Sequence, residues 1–288
     1  MNSMRSILLC LALVGSASAQ NIIMKDGTVV VTKGVRRQGD TIMATIDLAS
    51  GQAQPGTGAT GEFGYPISQI QKIDFPEPPE IKTAADLIAA GKATDALAQI
   101  EPVGKYYEGF RDAPGSWWAE VSLLKVEALI SLGRDDEAEQ IASDLARTAT
   151  DPETVSAAKV YVARGIARHG DQGKAMEIYD ALLKDETRPQ TIAAVDVNVG
   201  QIHLARKEWE PALLSFLEIP VFYPQQKVFM PQALLGCGKA YIGLEDFPRA
   251  KASLNELTTD YGLTPEAAQG KIDLEKIAKL EKANEPAQ

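Results

Sequence analysis

From Asn21 to Phe75, apolar and polar residues alternate with a period of two, in short runs bounded by turn residues. Asn21-Ile22-Ile23-Met24, Thr28-Val29-Val30-Val31-Thr32 and Thr41-Ile42-Met43-Ala44-Thr45-Ile46 are rich in β-branched side chains that suit a pleated, half-buried surface. Lys25-Asp26-Gly27 and Gln38-Gly39-Asp40 supply the turns between them. A last run from Tyr65 to Phe75 returns to close a small sheet or barrel. The pattern predicts a compact all-β module of four or five strands over residues 20–75. Pro76-Glu77-Pro78-Pro79-Glu80 then interrupts regular structure, and residues 76–82 read as a short, stiff linker.

Beyond the linker the pattern changes to helical spacing, rich in alanine and leucine, with short polar breaks. Five of the breaks are variants of one turn: Gly91-Lys92-Ala93-Thr94-Asp95-Ala96, Gly133-Arg134-Asp135-Asp136-Glu137-Ala138, Gly170-Asp171-Gln172-Gly173-Lys174-Ala175, Lys207-Glu208-Trp209-Glu210-Pro211-Ala212 and Glu245-Asp246-Phe247-Pro248-Arg249-Ala250. Their closing alanines, Ala96, Ala138, Ala175, Ala212 and Ala250, fall 42, 37, 37 and 38 residues apart. A repeated unit of two antiparallel helices accounts for that spacing. The alanine sits where the second helix crosses the first at short range, and a larger side chain there would push the pair apart.

These residues resemble tetratricopeptide repeats. The last unit carries Gly238, Tyr241, Phe247 and Ala250, and the one before it Gly200, Trp209, Ala212, Phe216 and Pro224. Gly170, Ala175 and Tyr179 fit a third unit, and Gly133 and Ala138 a fourth. The first, about Thr83 to Tyr107, diverges most, as suits a terminal cap. The resemblance implies a mainly α fold: a right-handed solenoid of about five helical hairpins over residues 83–261, with a capping helix and tail over 262–288, behind the small all-β module. Phe216, Tyr223-Pro224, Ala233, Gly238, Tyr241, Phe247, Ala250 and Tyr261 look like the periplasmic envelope subgroup typified by the coordinator associated with the Tol-Pal system. The N-terminal coiled coil usual in that subgroup is replaced here by the β module.

The first residues bear on location. Arg5 precedes the apolar run from Ile7 to Val14, and Gly15-Ser16-Ala17-Ser18-Ala19 follows. This is the layout of a secretory signal peptide over residues 1–19, with cleavage expected before Gln20. The run is far shorter than the ~20 residues of a membrane-spanning helix, so no integral membrane segment is expected after its removal. Cys10 sits too early for a lipoprotein signal, and its loss leaves Cys237 as the single cysteine, without an intrachain disulfide partner. At 45% hydrophobic and 24% charged residues, the sequence has apolar material for a core without metal or disulfide staples. A formal charge of −10 argues against binding nucleic acid or an anionic membrane through the whole surface. The expected location is outside the cytoplasm, periplasmic or outer-membrane associated.

Candidate chemistry is sparse. Gly56-Thr57-Gly58-Ala59-Thr60-Gly61 matches a dinucleotide-binding spacing, but Glu62-Phe63-Gly64-Tyr65-Pro66 follows, where that fingerprint requires a helix. A hairpin loop is the better reading. His169 and His203 lack a second histidine or cysteine at ligand spacing, and Asp135-Asp136-Glu137-Ala138-Glu139 lacks a calcium loop's central glycine. No nucleophile motif is present, so no enzyme activity, cofactor or metal is expected. Tyr106-Tyr107, Phe110 and Trp117-Trp118 read as core packing.

The resemblance implies one sharper site, a concave groove lined by the first helix of each hairpin. Its ninth position reads Glu127, Arg164, Gln201 and Lys239 in successive units, with Arg168 one turn beyond Arg164 and Asp196 at the groove's edge. Arg164, Arg168 and Lys239 are expected to form a basic stretch that receives an acidic peptide or the C-terminus of a polypeptide. The function implied is a non-enzymatic scaffold or adaptor for protein or peptide partners in a bacterial cell envelope. The alternatives are a structural subunit that self-associates through its β module, or a cell-wall-binding component.

Overall fold

The computed structural model describes residues 20–48, 60–149 and 151–284. The expected signal peptide, with Cys10, and Gly56 to Ala59 of the glycine-rich motif lie outside the described residues. The protein divides into two compact units, one ending at Pro76 and including Ala113–Gly115, the other formed by Glu77–Asp112 and the residues from Ser116 onward.

The first unit holds six antiparallel strands among its described residues: β1 (Gln20–Met24), β2 (Val29–Thr32), β3 (Gly34–Gln38), β4 (Thr41–Asp47), β5 (Thr60–Pro66) and β6 (Ile70–Asp74). They form two three-stranded sheets, ordered β2-β1-β6 and β3-β4-β5. Two bent runs of backbone each give one strand to each sheet, the usual way a corner is turned between sheets. β2 and β3 are one run broken at Lys33, where the Thr32 hydroxyl accepts from the Gly34 N–H at 2.8 Å. The Lys33 N–H donates to the Thr45 carbonyl at 2.8 Å, which ties the bend to β4. β5 and β6 are likewise one run, broken by a single 3-10 turn at Ile67–Gln69. Ile22, Met24, Ile42, Ala44, Ile70 and Ile73 are buried, with Ile22 paired between Val30 and Ile73.

β3 and most of β5 were not legible as strands. β3 reads Gly-Val-Arg-Arg-Gln, with little apolar alternation because it lies at a sheet edge and buries little. β5 contains Gly61 and Gly64, which signal turns; at Gly64 a Cβ would come 2.9 Å from the Thr41 methyl across the pair. Here the glycine allows close cross-strand packing.

The second unit is helical: α1 (Pro79–Ala89), α2 (Ala93–Glu108), α3 (Trp118–Ser131), α4 (Asp135–Thr148), α5 (Pro152–Arg168), α6 (Gln172–Leu183), α7 (Pro189–Ala205), α8 (Trp209–Phe222), α9 (Met230–Gly243), α10 (Phe247–Asp260) and α11 (Pro265–Asn284). α1 begins inside the run expected as linker, because proline at the first helical position gives up only an N–H that no helix would use. α1 through α10 pack as five successive hairpins, and α11 packs on α9 and α10.

All five expected turns adopt one geometry. Gly91, Gly133, Gly170, Lys207 and Glu245, each five residues before a closing alanine, have φ of 74°, 70°, 103°, 60° and 60°. In each, the following N–H reaches back five residues to a helix carbonyl, from Lys92 to Leu87 at 2.8 Å through Asp246 to Tyr241 at 2.9 Å. This left-handed cap satisfies carbonyls that a helix end would otherwise leave unpaired. All five closing alanines are buried. The spacing found in the sequence is thus the spacing of a repeated cap and the close helix crossing behind it.

Phe216 of α8 occupies a slot between α7 and α9. A Cβ at Gly200 would lie 2.8 Å from its ring, and one at Gly236 would lie 2.4 Å from it. The two glycines let three helices close on one aromatic side chain.

Candidate partner-binding groove

α3, α5, α7 and α9, the first helices of four successive hairpins, place Glu127, Arg164, Gln201 and Lys239 at equivalent positions. Arg164, Gln201 and Lys239 line one cavity of 280 Å³, together with Gln232 and with Glu266 from the first turn of α11. Arg164 and Gln201 also line a 220 Å³ cavity with Arg168, Gln172 and Asn198. Four of the five expected groove residues therefore border two adjoining cavities.

Glu127 does not line either cavity. It is buried, 3% exposed, and its carboxylate accepts a hydrogen bond from the Tyr161 hydroxyl of α5. Burial pushes the Glu127 carboxyl up to about 7, against the opposing pull of Tyr161 and Arg164. Burial and the neighbouring Glu127 also raise the Tyr161 hydroxyl well above its ordinary value.

The arginines are engaged within the protein itself. Arg164 pairs with Asp135 at 2.6 Å, and Arg168 with Asp136 at 2.5 Å and Glu139 at 3.1 Å. The acidic start of α4 thus faces the end of α5 and neutralises much of the expected basic stretch. Lys239 is half-buried and forms no ion pair among the described residues. It lowers the carboxyl of Glu266, which burial raises. The cavity therefore presents one unengaged ammonium, one half-buried carboxylate and two amides.

Glu120, Asp151, Glu153 and Arg188, at or just before the starts of α3, α5 and α7, line a third cavity of 380 Å³ with Tyr161 from the middle of α5 and Gln226 from the α8–α9 connection. Its cation is also occupied, since Arg188 grips Glu186 at 2.7 Å and holds that carboxyl at about 2.

Asp196 lies away from these cavities. It is 9% exposed, and its Oδ2 is buried with no hydrogen-bond partner among the described residues. Burial, then the charge of Glu218, pushes it up to about 7. His169 and His203 each hydrogen-bond a glutamate, Glu139 at 3.2 Å and Glu208 at 2.5 Å. Cys237 is buried, and desolvation pushes its thiol up to about 12. Tyr107 and Phe110 are buried, whereas Tyr106 is half exposed. Among the described residues no three His, Cys, Asp or Glu side chains are grouped to hold a metal ion, and no helix is long and apolar enough to cross a membrane.

Sequence reasoning missed the Glu127–Tyr161 pair and the acidic partners of Arg164 and Arg168. The signal available was separation: 34 residues for Tyr161 to Glu127, 29 for Arg164 to Asp135 and 32 for Arg168 to Asp136. Each falls short of the 37-residue step from Ala138 to Ala175, because it joins a residue of one hairpin to an earlier point of the next. No family model matches the protein, and a search of curated proteins finds no similar sequence.

Proposed function

We propose that the protein is an exported, non-enzymatic adaptor of the tetratricopeptide type, a right-handed solenoid that binds a protein or peptide partner in the bacterial cell envelope. The observation that carries this reading is the cavity where successive hairpins place Arg164, Gln201 and Lys239 side by side. Repeated geometry delivers equivalent positions to one surface, which is how a hairpin array recognises an extended partner. With Arg164 and Arg168 held by α4, Lys239 is the cation that selects a partner carboxylate, and Gln201 and Gln232 supply hydrogen bonds.

Crosslinking in the native cells tests this. A specific protein recovered with the wild-type form and lost with Lys239→Glu supports the groove, provided the variant keeps its far-ultraviolet circular dichroism. Equal recovery by both counts against it.

A second reading, a structural subunit acting through the β unit, is favoured by Val29 and Val31, which stand 56% and 61% exposed on the four-residue strand β2. Exposed β-branched side chains on a strand without a charged residue are poorly protected against pairing. Sedimentation of the purified protein and of Val31→Lys distinguishes it: a concentration-dependent dimer lost in the variant supports self-association.

A further inference from the structure

The 380 Å³ cavity at the starts of α3, α5 and α7 differs from the groove in both charge and lining. Its interior is made of buried residues, with Ala157, Val160, Tyr161, Thr191 and Ala194 all less than a tenth exposed. Its mouth is made of exposed ones, Glu120, Asp151, Glu153 and Gln190. The hollow is therefore largely apolar within and acidic at its rim, and its volume suits a small ligand or a side chain with its neighbours.

Two of the three carboxylates are committed. Asp151 caps α5, accepting from the Thr154 N–H at 2.8 Å and from the Thr154 hydroxyl at 2.9 Å. Glu153 stands 3.8 Å from Arg188, whose guanidinium Glu186 already grips at 2.7 Å. Glu120, in the first turn of α3, pairs with no cation among the described residues. Inside, Thr191 is 5% exposed, and its hydroxyl has no hydrogen-bond partner among the described residues. A buried hydroxyl left unpaired costs free energy until something in the cavity meets it. Helix starts account for acidic residues at the rim by themselves, but apolar walls around an unpaired hydroxyl point to an occupant.

We propose that this cavity is a second recognition site, selective for a basic polypeptide segment. An aliphatic side chain of the segment fills the hollow between Leu123, Val160 and Ala194, a backbone group meets the Thr191 hydroxyl, and a neighbouring Lys or Arg pairs with Glu120. Charge selects this occupant: three carboxylates against one arginine, itself held by Glu186, leave the rim negative, so a basic segment is drawn in where an acidic one is repelled. The site does not depend on the groove around Lys239, which selects the opposite charge.

Methyl NMR on the full-length protein, titrated with the peptide acetyl-Lys-Leu-Lys-amide, tests the proposal. The methyl signals of Leu123, Ala157 and Val160 should shift and saturate. Acetyl-Lys-Ser-Lys-amide should bind roughly 10- to 100-fold more weakly, because it lacks the apolar side chain to bury. Glu120→Gln, at an exposed position that tolerates the change, should raise the dissociation constant about 5-fold. Glu275→Gln on the exposed face of α11 and Lys239→Gln in the groove should leave it unchanged. Methyl signals that stay in place at millimolar peptide overturn the proposal, as does equal binding of the leucine and serine peptides or of acetyl-Glu-Leu-Glu-amide. An unchanged constant in Glu120→Gln also overturns it, and a loss in Lys239→Gln would place the peptide in the groove instead.

Discussion

In the β unit a few large aliphatic side chains, Ile22, Ile42, Ile70 and Ile73 among them, fill the interior between two small sheets, and each occupies a place with no counterpart elsewhere. In the helical unit the interior is built largely from alanine at recurring positions, with single aromatics such as Tyr179 and Phe216 set into gaps that small residues leave open. The difference concerns where specificity resides. Strand register decides which isoleucines meet in the first unit, and a one-residue slip would turn them outward. Backbone approach decides it in the second, and the side chains follow.

The largest effect should come from emptying an aromatic slot. Phe216→Ala leaves the gap between Gly200 and Gly236 unfilled and should cost about 3–5 kcal/mol. Denaturation followed by tryptophan fluorescence checks this, because Trp117, Trp118 and Trp209 all belong to the helical unit. A loss below about 1 kcal/mol would show that the helices collapse onto the space and that backbone approach is not fixed.

Next is Ile73→Ala in β6, expected to cost about 3 kcal/mol. Its signature is faster amide exchange across β1 and β6, since Ile73 is fully buried and paired with Ile22. If exchange in those strands stays slow, the aliphatic cluster is not what holds the sheet.

Asp196→Asn probes a charge that the helical core accommodates badly. The folded protein raises Asp196 from 3.8 to about 7 and so holds a proton that the unfolded form gives up near pH 4. Its contribution favours folding most below pH ~4, is lost as pH rises, and is flat above about 7. The asparagine variant should therefore exceed wild type at pH 8 by about 1–3 kcal/mol, with the gap closing toward pH 4. A constant difference across that range would mean that Asp196 does not titrate in this window.

The smallest effect should be at the turns. Glu245→Gly relieves a left-handed backbone that only glycine adopts without strain, and should stabilise the helical unit by about 1 kcal/mol. Gly170→Ala, in the equivalent turn, should destabilise it by a similar amount. The two thermal shifts should have opposite signs; a common sign would show that the five turns are not equivalent in energy.

The same contrast explains what could be read in advance. The five helical turns were legible because one cap geometry sets a left-handed residue, glycine in three of them, at a fixed offset from a buried alanine, and the stacking of hairpins repeats that offset at similar intervals. In the β unit, β1, β2 and β4 announced themselves by alternation, while the bend at Lys33 and the turn at Ile67–Gln69 were set by strand partners the local sequence does not specify. The equivalent helix positions of Arg164, Gln201 and Lys239 were legible, but the ion pairs of Arg164 and Arg168 were not. Arg164 and Arg168 are placed by helical periodicity, yet their neutralisation depends on Asp135, Asp136 and Glu139, one hairpin earlier in the sequence. Asp135 to Glu139 read as ordinary acidic charge at a helix start, a role that fully accounts for it locally. Burial of Glu127 was equally hidden, because its partner Tyr161 comes 34 residues later, in the next hairpin.

The meeting of the α1–α2 turn with the segment just before α11 sets a length. A stack of hairpins with free ends can gain or lose a unit with little consequence for the rest, as a string of beads can. Here the turn at Gly91 lies against the backbone at Leu263 and Thr264 so closely that no side chain fits between them. A sixth hairpin inserted anywhere between would carry α11 past its mooring, and one removed would leave it short. The contact acts as a counting device, and it gives Gly91 a task that Gly133 and Gly170, in the next two turns with open space around them, do not share.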